Sequence, residues 1–193
     1  MNSEPVQQLA ALAELFGEVL HSCRPESVAV LGVAGGNGLE HVDAAVTRRF
    51  CGIDINAQYL ETAGARFAAV PGLELHCLDL AEQNVPLAPV QLVHAALIFE
   101  HAGTGRCLDN AIKMAAPGGT LSVVLQLPSA MEGSVGKSAP SSMQALSQSF
   151  RLIEPDRFRQ EIEGRGFRFV RSVERPLPSG KAFWMGLFER NPA

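Results

Sequence analysis

Short, continuously apolar runs return at intervals along the chain, with room between them for a crossover, and this rhythm limits the possible folds more than any other feature. The first run, Ser27-Val28-Ala29-Val30-Leu31, has no polar alternation, as a strand covered on both faces requires. It leads through the glycine-rich turn Gly32-Val33-Ala34-Gly35-Gly36-Asn37-Gly38 into a stretch read as helical through Arg49. Further strands are predicted at 50–54, 73–77, 90–97 and 120–127, and helices at 57–68 and 108–116. Strands alternating with helical segments imply right-handed βαβ units and a parallel sheet. Ahead of them, residues 3–22 read as a helix, with Ser3 as cap, Pro5 in the first turn, and Leu9, Leu12, Phe16 and Val19 on one face.

The last third breaks the rhythm. Residues 129–149 are rich in serine and read as an excursion after the fifth strand. A capped helix is predicted over 155–164, and strands over 167–173 and 182–189. The link between these two strands, Pro176-Leu177-Pro178-Ser179-Gly180, is too short for a crossover helix, so they pair antiparallel. With no repeat and no dividing linker, residues 1–193 read as a single domain, with 1–24 its N-terminal helical segment.

Charge narrows the function classes. The formal net charge is -4, and only three of sixteen basic residues are lysines. The densest basic stretch, from Arg157 to Arg171, is interleaved with Glu154, Asp156, Glu161 and Glu163 and reads as a solvated face. A nucleic-acid partner, which needs clustered cations, is not expected. The four cysteines form no close pair, so neither a zinc site nor a disulfide framework is expected. The first residues carry no basic, apolar leader, and no apolar run has the length of a bilayer span. No membrane partner is therefore expected, and a cytoplasmic location is the default.

The chemistry concentrates at strand ends. Glycines at 32–38 let a ligand approach the backbone, and a following helix would offer it free N–H groups. Asp54 ends the second strand, where its carboxylate can accept both hydroxyls of a ribose, or cap the next helix. Asp79 follows the third strand, where it could meet an adenine amino group or serve a turn. A dinucleotide-dependent oxidoreductase would share these features. Its G-x-G-x-x-G fingerprint fails, however, because the frame from Gly36 ends on His41. No P-loop Lys-Ser/Thr follows the turn either.

On these residues the chain resembles a class I S-adenosylmethionine (SAM)-dependent methyltransferase of the group with small-molecule acceptors. That family's acidic-x-Gly-x-Gly-x-Gly motif falls on Gly32, Ala34, Gly36 and Gly38, so the acid and the first glycine are replaced. Leu97-Ile98-Phe99-Glu100-His101 is similar to the family's "L-E-H" segment after the fourth strand, and Pro117-Gly118-Gly119 to its turn before the fifth. The fourth strand opens with Gln91 where the family usually has Asp. The resemblance implies an α/β fold: a doubly wound, mostly parallel seven-stranded sheet with an antiparallel last strand. It implies SAM as cofactor, held by the 32–38 turn (Gly32, Val33, Ala34, Gly35, Gly36 and Gly38), by Asp54 with Ile55, by Asp79 with Leu80, and by Leu97 and Phe99. A side chain at Gly36 would then invade the methionine end of the ligand, and Asp54 would be removable with little loss of fold. The Asn-Pro-Pro-Tyr type of motif used on nucleobase nitrogens is missing.

The expected reaction is methyl transfer to a small-molecule acceptor, with the acceptor atom left open. His101 is the candidate catalytic base, and residues 129–149 the candidate acceptor lid. His94, inside an apolar strand, reads as a core histidine. The rival readings are a non-catalytic SAM-binding regulatory domain, which the missing acid at Gly32 allows, and the oxidoreductase above.

Overall fold

The computed structural model describes residues 4–70, 72–128 and 151–192. It contains α1 (Glu4–Cys23), β1 (Ser27–Leu31), β2 (Arg49–Asp54), α2 (Ala57–Arg66), β3 (Leu73–Cys77), β4 (Val90–Ala96), α3 (Ile98–Ala102), α4 (Arg106–Met114), β5 (Ala115–Leu127), α5 (Pro155–Glu163), β6 (Phe167–Pro176) and β7 (Ala182–Arg190). One seven-stranded sheet runs in the order β3-β2-β1-β4-β5-β7-β6. The first five strands are mutually parallel, and β7 lies antiparallel between β5 and β6. This is the doubly wound, mostly parallel sheet expected, antiparallel last strand included. Ser3 and residues 129–149 lie outside the described residues.

Both faces of the sheet are covered, which is why its central strands are apolar throughout. On one face, Phe16 and Val19 of α1 and Leu60 of α2 join Val28, Val30, Phe50 and Leu92 in one core cluster. On the other, Leu108 and Ala111 of α4 and Phe158 and Ile162 of α5 cluster with Ala29, Leu31, Val93 and Leu121. Each large side chain buried in this way contributes about 1.5–3 kcal/mol. The face of α1 follows the predicted stripe only in part: Phe16 and Val19 are buried and Leu12 is partly buried, but Leu9 is half exposed, and Ala11, Ala13, Leu15 and Leu20 join the buried face. Among the described residues, no helix is long and apolar enough to cross a membrane.

Two local expectations are corrected. The stretch after the glycine turn forms no α-helix, only a 3-10 turn at Leu39–His41. Gly36 and Gly38 hold φ of 83° and 89°, in the left-handed region, which stops a right-handed helix from starting there. Further on, Thr47 donates its hydroxyl to Pro25 O at 2.8 Å, and the Arg48 amide bonds to Glu26 O at 2.8 Å, drawing the segment along the sheet edge. The N-terminal helix covers the exposed layer in its place. Its Phe16 and Gly17 approach so closely that a Cβ on Gly38 would meet Phe16 at 2.9 Å, and one on Gly17 would meet His41 at 3.0 Å. The second correction concerns Pro117-Gly118-Gly119, which lies within β5 and reverses nothing. The register passes from Val90↔Ala115 to Leu92↔Thr120, so residues 116–119 bulge opposite Gln91, with Gly118 at φ 71°.

His94 is a core histidine, as read. It is 3% exposed, stacks on Phe16 with ring centroids 4.5 Å apart, and shares a hydrogen bond between its Nδ1 and Ser122 Oγ at 3.0 Å. Burial pushes its pKa down to about 3. The unfolded chain therefore binds a proton near pH 6.5 that the folded chain refuses, so stability is intact above that pH and falls below it. Between pH 7.5 and pH 5 this group alone is expected to remove about 2 kcal/mol from the unfolding free energy. Urea titrations at the two pH values check this, with His94→Gln expected to flatten the difference. An equal drop in that variant would remove His94 as the cause.

Candidate functional site

In this strand order β1 lies between β2 and β4, and the connections leave it in opposite directions. Ligands of open α/β sheets bind at such a switch point, outside the carboxyl ends of the strands. A cleft of about 280 Å³ occupies that place. Gly32 comes from the end of β1, Asp54 and Ile55 from the end of β2, Leu78 to Ala81 from the segment after β3, and Ile98, His101 and Ala102 from α3. A larger cleft, about 500 Å³, lies between α1 and the 41–47 segment, bordered by Pro25 and Thr47 at the amino ends of β1 and β2. That is the wrong edge for a ligand of this fold, and Glu14 and Glu18 on its wall are engaged by Arg175.

Asp54 is 9% exposed and spans two loops. Its Oδ2 accepts the Ala34 amide and its Oδ1 the Asn56 amide, each at 2.9 Å. The cap of α2 is Asn56, whose side chain accepts the Gln58 amide at 3.0 Å. Asp54 is thus not a helix cap. It ties the glycine turn to the end of β2 while lining the cleft, and each oxygen keeps a lone pair for a ligand hydroxyl. The expectation that Asp54 is removable with little loss of fold does not fit these two bonds. Asp79 serves the turn and also lines the cleft. Its Oδ1 accepts the Ala81 amide at 2.8 Å, and its carbonyl accepts the Gln83 amide at 2.8 Å.

Most amides of the glycine turn are already engaged by the protein. Gly32 and Val33 both donate to Ile53 O, Ala34 to Asp54, Gly36 to Val33 O, and Gly38 to the Glu40 carboxylate. With no α-helix behind it, the turn offers no row of free N–H groups. The expected anion site at a helix N-terminus is therefore absent. Gly32 itself has φ 74°, and a Cβ there would stand 3.0 Å from Ile98 Cδ1. An acidic side chain at this position would be strained and would crowd the cleft wall. Ala34 accepts a left-handed φ of 46° in place of the family's glycine.

Of the predicted site residues, Gly32, Asp54, Ile55, Asp79, Leu80 and His101 meet at the cleft. The others do not line it. Val33 is buried, Gly35 O accepts Arg66 Nη1 at 2.7 Å, and Gly36 and Gly38 sit against Phe67 and Phe16. Leu97, at φ 56°, precedes α3 and donates its amide to Val124 O, while Phe99 is buried on Phe158 at 5.0 Å between centroids. Sequence reasoning missed Ile98 and Ala102, which line the cleft with His101. Their spacing from Ile98 is i, i+3, i+4, the signature of one helix face, but a single turn is too short to be read by periodicity.

No protein-family model matches the sequence, and neither does any curated protein sequence. Solved structures do match in fold. The N-methyltransferase NodS from Bradyrhizobium japonicum WM9 superposes with a TM-score of 0.69 at 18% identity, covering 100% of both chains. The same protein is also known in complex with S-adenosyl-L-homocysteine (SAH). Magnesium protoporphyrin IX methyltransferase (ChlM) from Synechocystis PCC 6803, with bound SAH, gives 0.71 at 12% identity over 96% of this chain and 84% of that one. The [4+2]-cyclase SpnF gives 0.70 at 12% identity over 95% and 82%. At these identities the likeness is one of fold: the chain has the class I methyltransferase fold.

Proposed function

We propose that the cleft binds SAM and that the protein transfers its methyl group to a small-molecule acceptor. One observation carries the cofactor: two acidic residues, Asp54 and Asp79, line a cleft whose glycine turn leads into no α-helix, so no helix N-terminus stands there to hold a phosphate. A dinucleotide would need its pyrophosphate held there, whereas SAM carries a ribose, an adenine and no phosphate. In this reading Asp54 accepts the ribose hydroxyls and Asp79 the adenine amino group. Ile55, 65% exposed, and Leu80 offer apolar surface to the purine.

When bound, SAM supplies a methyl group already activated on a sulfonium. The chain's contribution is to align an acceptor with the methyl–sulfur bond, which can be worth about 7–11 kcal/mol. Ile98, His101 and Ala102 form the α3 wall of the cleft and would border the acceptor. His101 takes the acceptor's proton where the nucleophile must lose one.

Calorimetric titration of SAM, SAH and NAD(P) tests the cofactor. SAM and SAH are expected to bind and NAD(P) to give no heat; binding of NAD(P) alone would replace this reading with the oxidoreductase. Turnover of SAM to SAH with a panel of phenols, thiols, amines and carboxylates then tests transfer. Because the fold also hosts a protein described as a cyclase, binding without SAH production across the panel would favour a SAM-binding domain that transfers no methyl group.

A further inference from the structure

Two acids are buried among the described residues, Asp54 and Glu100. The first lines the cleft. The second, 1% exposed on α3, does not line it. A buried carboxyl is costly unless it is bonded, so its partners say what it is for. Glu100 Oε1 accepts the amide of Gln126, near the end of β5, at 2.9 Å. Its main-chain carbonyl accepts the amide of Arg151 at 3.0 Å. Glu100 Oε2 is buried without a hydrogen-bond partner among the described residues. Burial pushes the carboxyl above the ordinary range, and the bond from Gln126 acts against that push.

The helix bearing these bonds needs outside support. It has five residues, its N-cap Leu97 sits in the left-handed region with no side-chain cap, and it ends at Gly103, φ 77°. A helix of one turn has almost no stability of its own, because nucleation alone is unfavourable. Yet it carries Ile98, His101 and Ala102 into the cleft wall. Its other face is buried through Phe99 and Glu100. Phe99 supplies apolar packing on Phe158, which resists withdrawal but permits rotation and sliding. Hydrogen bonds are directional, so the two at Glu100 fix what packing leaves free.

We propose that Glu100 is a positioning residue for His101: one residue fastens α3 both to the end of β5 and to Arg151, and so sets where the neighbouring imidazole stands in the cleft. This rests on the reading of the cleft as the transfer site, but the mechanical link does not depend on the chemistry. Truncating the side chain strands the Gln126 amide and frees one side of α3. Glutamine keeps an oxygen that can accept that amide.

The test is hydrogen exchange and histidine side-chain NMR on the whole protein. In Glu100→Ala, protection of the Gln126 amide is expected to fall roughly tenfold or more. Protection of the Arg151 amide should fall with it, although its acceptor carbonyl remains, and the His101 ring signals should move. Glu100→Gln should return all three toward wild type. Loss at Gln126 alone, with Arg151 and His101 unmoved, would overturn the proposal, as would equal effects of the two variants. Should Glu100→Ala not fold, Gln126→Pro removes the amide and keeps the carboxyl; unmoved His101 signals in that variant would overturn it too. Titration of SAH against the wild-type protein separates failure of the transfer reading from failure of this one.

Discussion

Asp54→Ala is expected to weaken SAM binding roughly ten- to a hundredfold, since a hydrogen bond to a charged group is worth about 1.5–3 kcal/mol. The same change is expected to lower the melting temperature by on the order of 10 °C. The second effect follows from the free protein: the carboxylate accepts the Ala34 and Asn56 amides in a site that is 9% exposed. Losing both bonds removes about 2–4 kcal/mol, and a chain of this size loses a few degrees per kcal/mol. Asp54→Asn keeps one acceptor oxygen and presents an NH2 group to the other amide, so it should fall between alanine and wild type in stability. Calorimetric affinity and thermal midpoint, measured on the same three proteins, separate the two roles. Full stability with lost affinity would mean the ties contribute nothing. Lost stability with intact affinity would reduce Asp54 to a brace for the glycine turn.

The sheet was legible because of how it is covered. Strands buried on both faces leave unbroken apolar runs, so β1 falls on the predicted residues, while the edge strand β3 was legible from the alternation of Leu73 and Leu75 with Glu74 and His76. The 39–48 segment misled for a physical reason. Leu39, Val42 and Val46 have helical spacing, but left-handed Gly36 and Gly38 ahead of them and the bonds of Thr47 and Arg48 behind them leave no stretch free to wind. The site divides in the same way. Asp54 and Asp79 were legible because a carboxylate just past a strand end has few places to go. Gly35 and Leu97 act through main-chain groups, whose direction depends on φ and ψ and leaves no mark in residue type. Glu100 was visible only as a letter in a motif. Its two amide partners lie 26 and 51 positions away in the chain, and only the folded chain brings them together.

Gly36→Val is expected to unfold the protein, not to leave a folded chain with a blocked cleft. The expectation from sequence was that a side chain here would occupy the ligand's methionine end. In the structure a Cβ at Gly36 would stand 2.7 Å from Phe67 Cε2 and 2.8 Å from Cδ2, with Ala63 Cβ at 3.4 Å. Phe67 is packed against the core and has the Arg66 guanidinium 4.9 Å from its ring centroid, so it has little room to retreat. The left-handed backbone, φ 83°, adds about 1–2 kcal/mol of strain for any side chain. Overpacking adds about 1–3 kcal/mol more, and valine's branch places two further carbons in the same space. Together these come to about 2–5 kcal/mol before valine's two further carbons are counted, enough to unfold a domain at the lower end of the ordinary range, about 5–15 kcal/mol. Gly36→Ala carries the strain and only the Cβ contact, so it should fold with a lowered midpoint in urea. Combining Gly36→Ala with Phe67→Leu should recover the steric part of that loss and leave the strain. If ligand space were the reason instead, Gly36→Ala would keep its midpoint while losing SAM, and changing Phe67 would restore nothing.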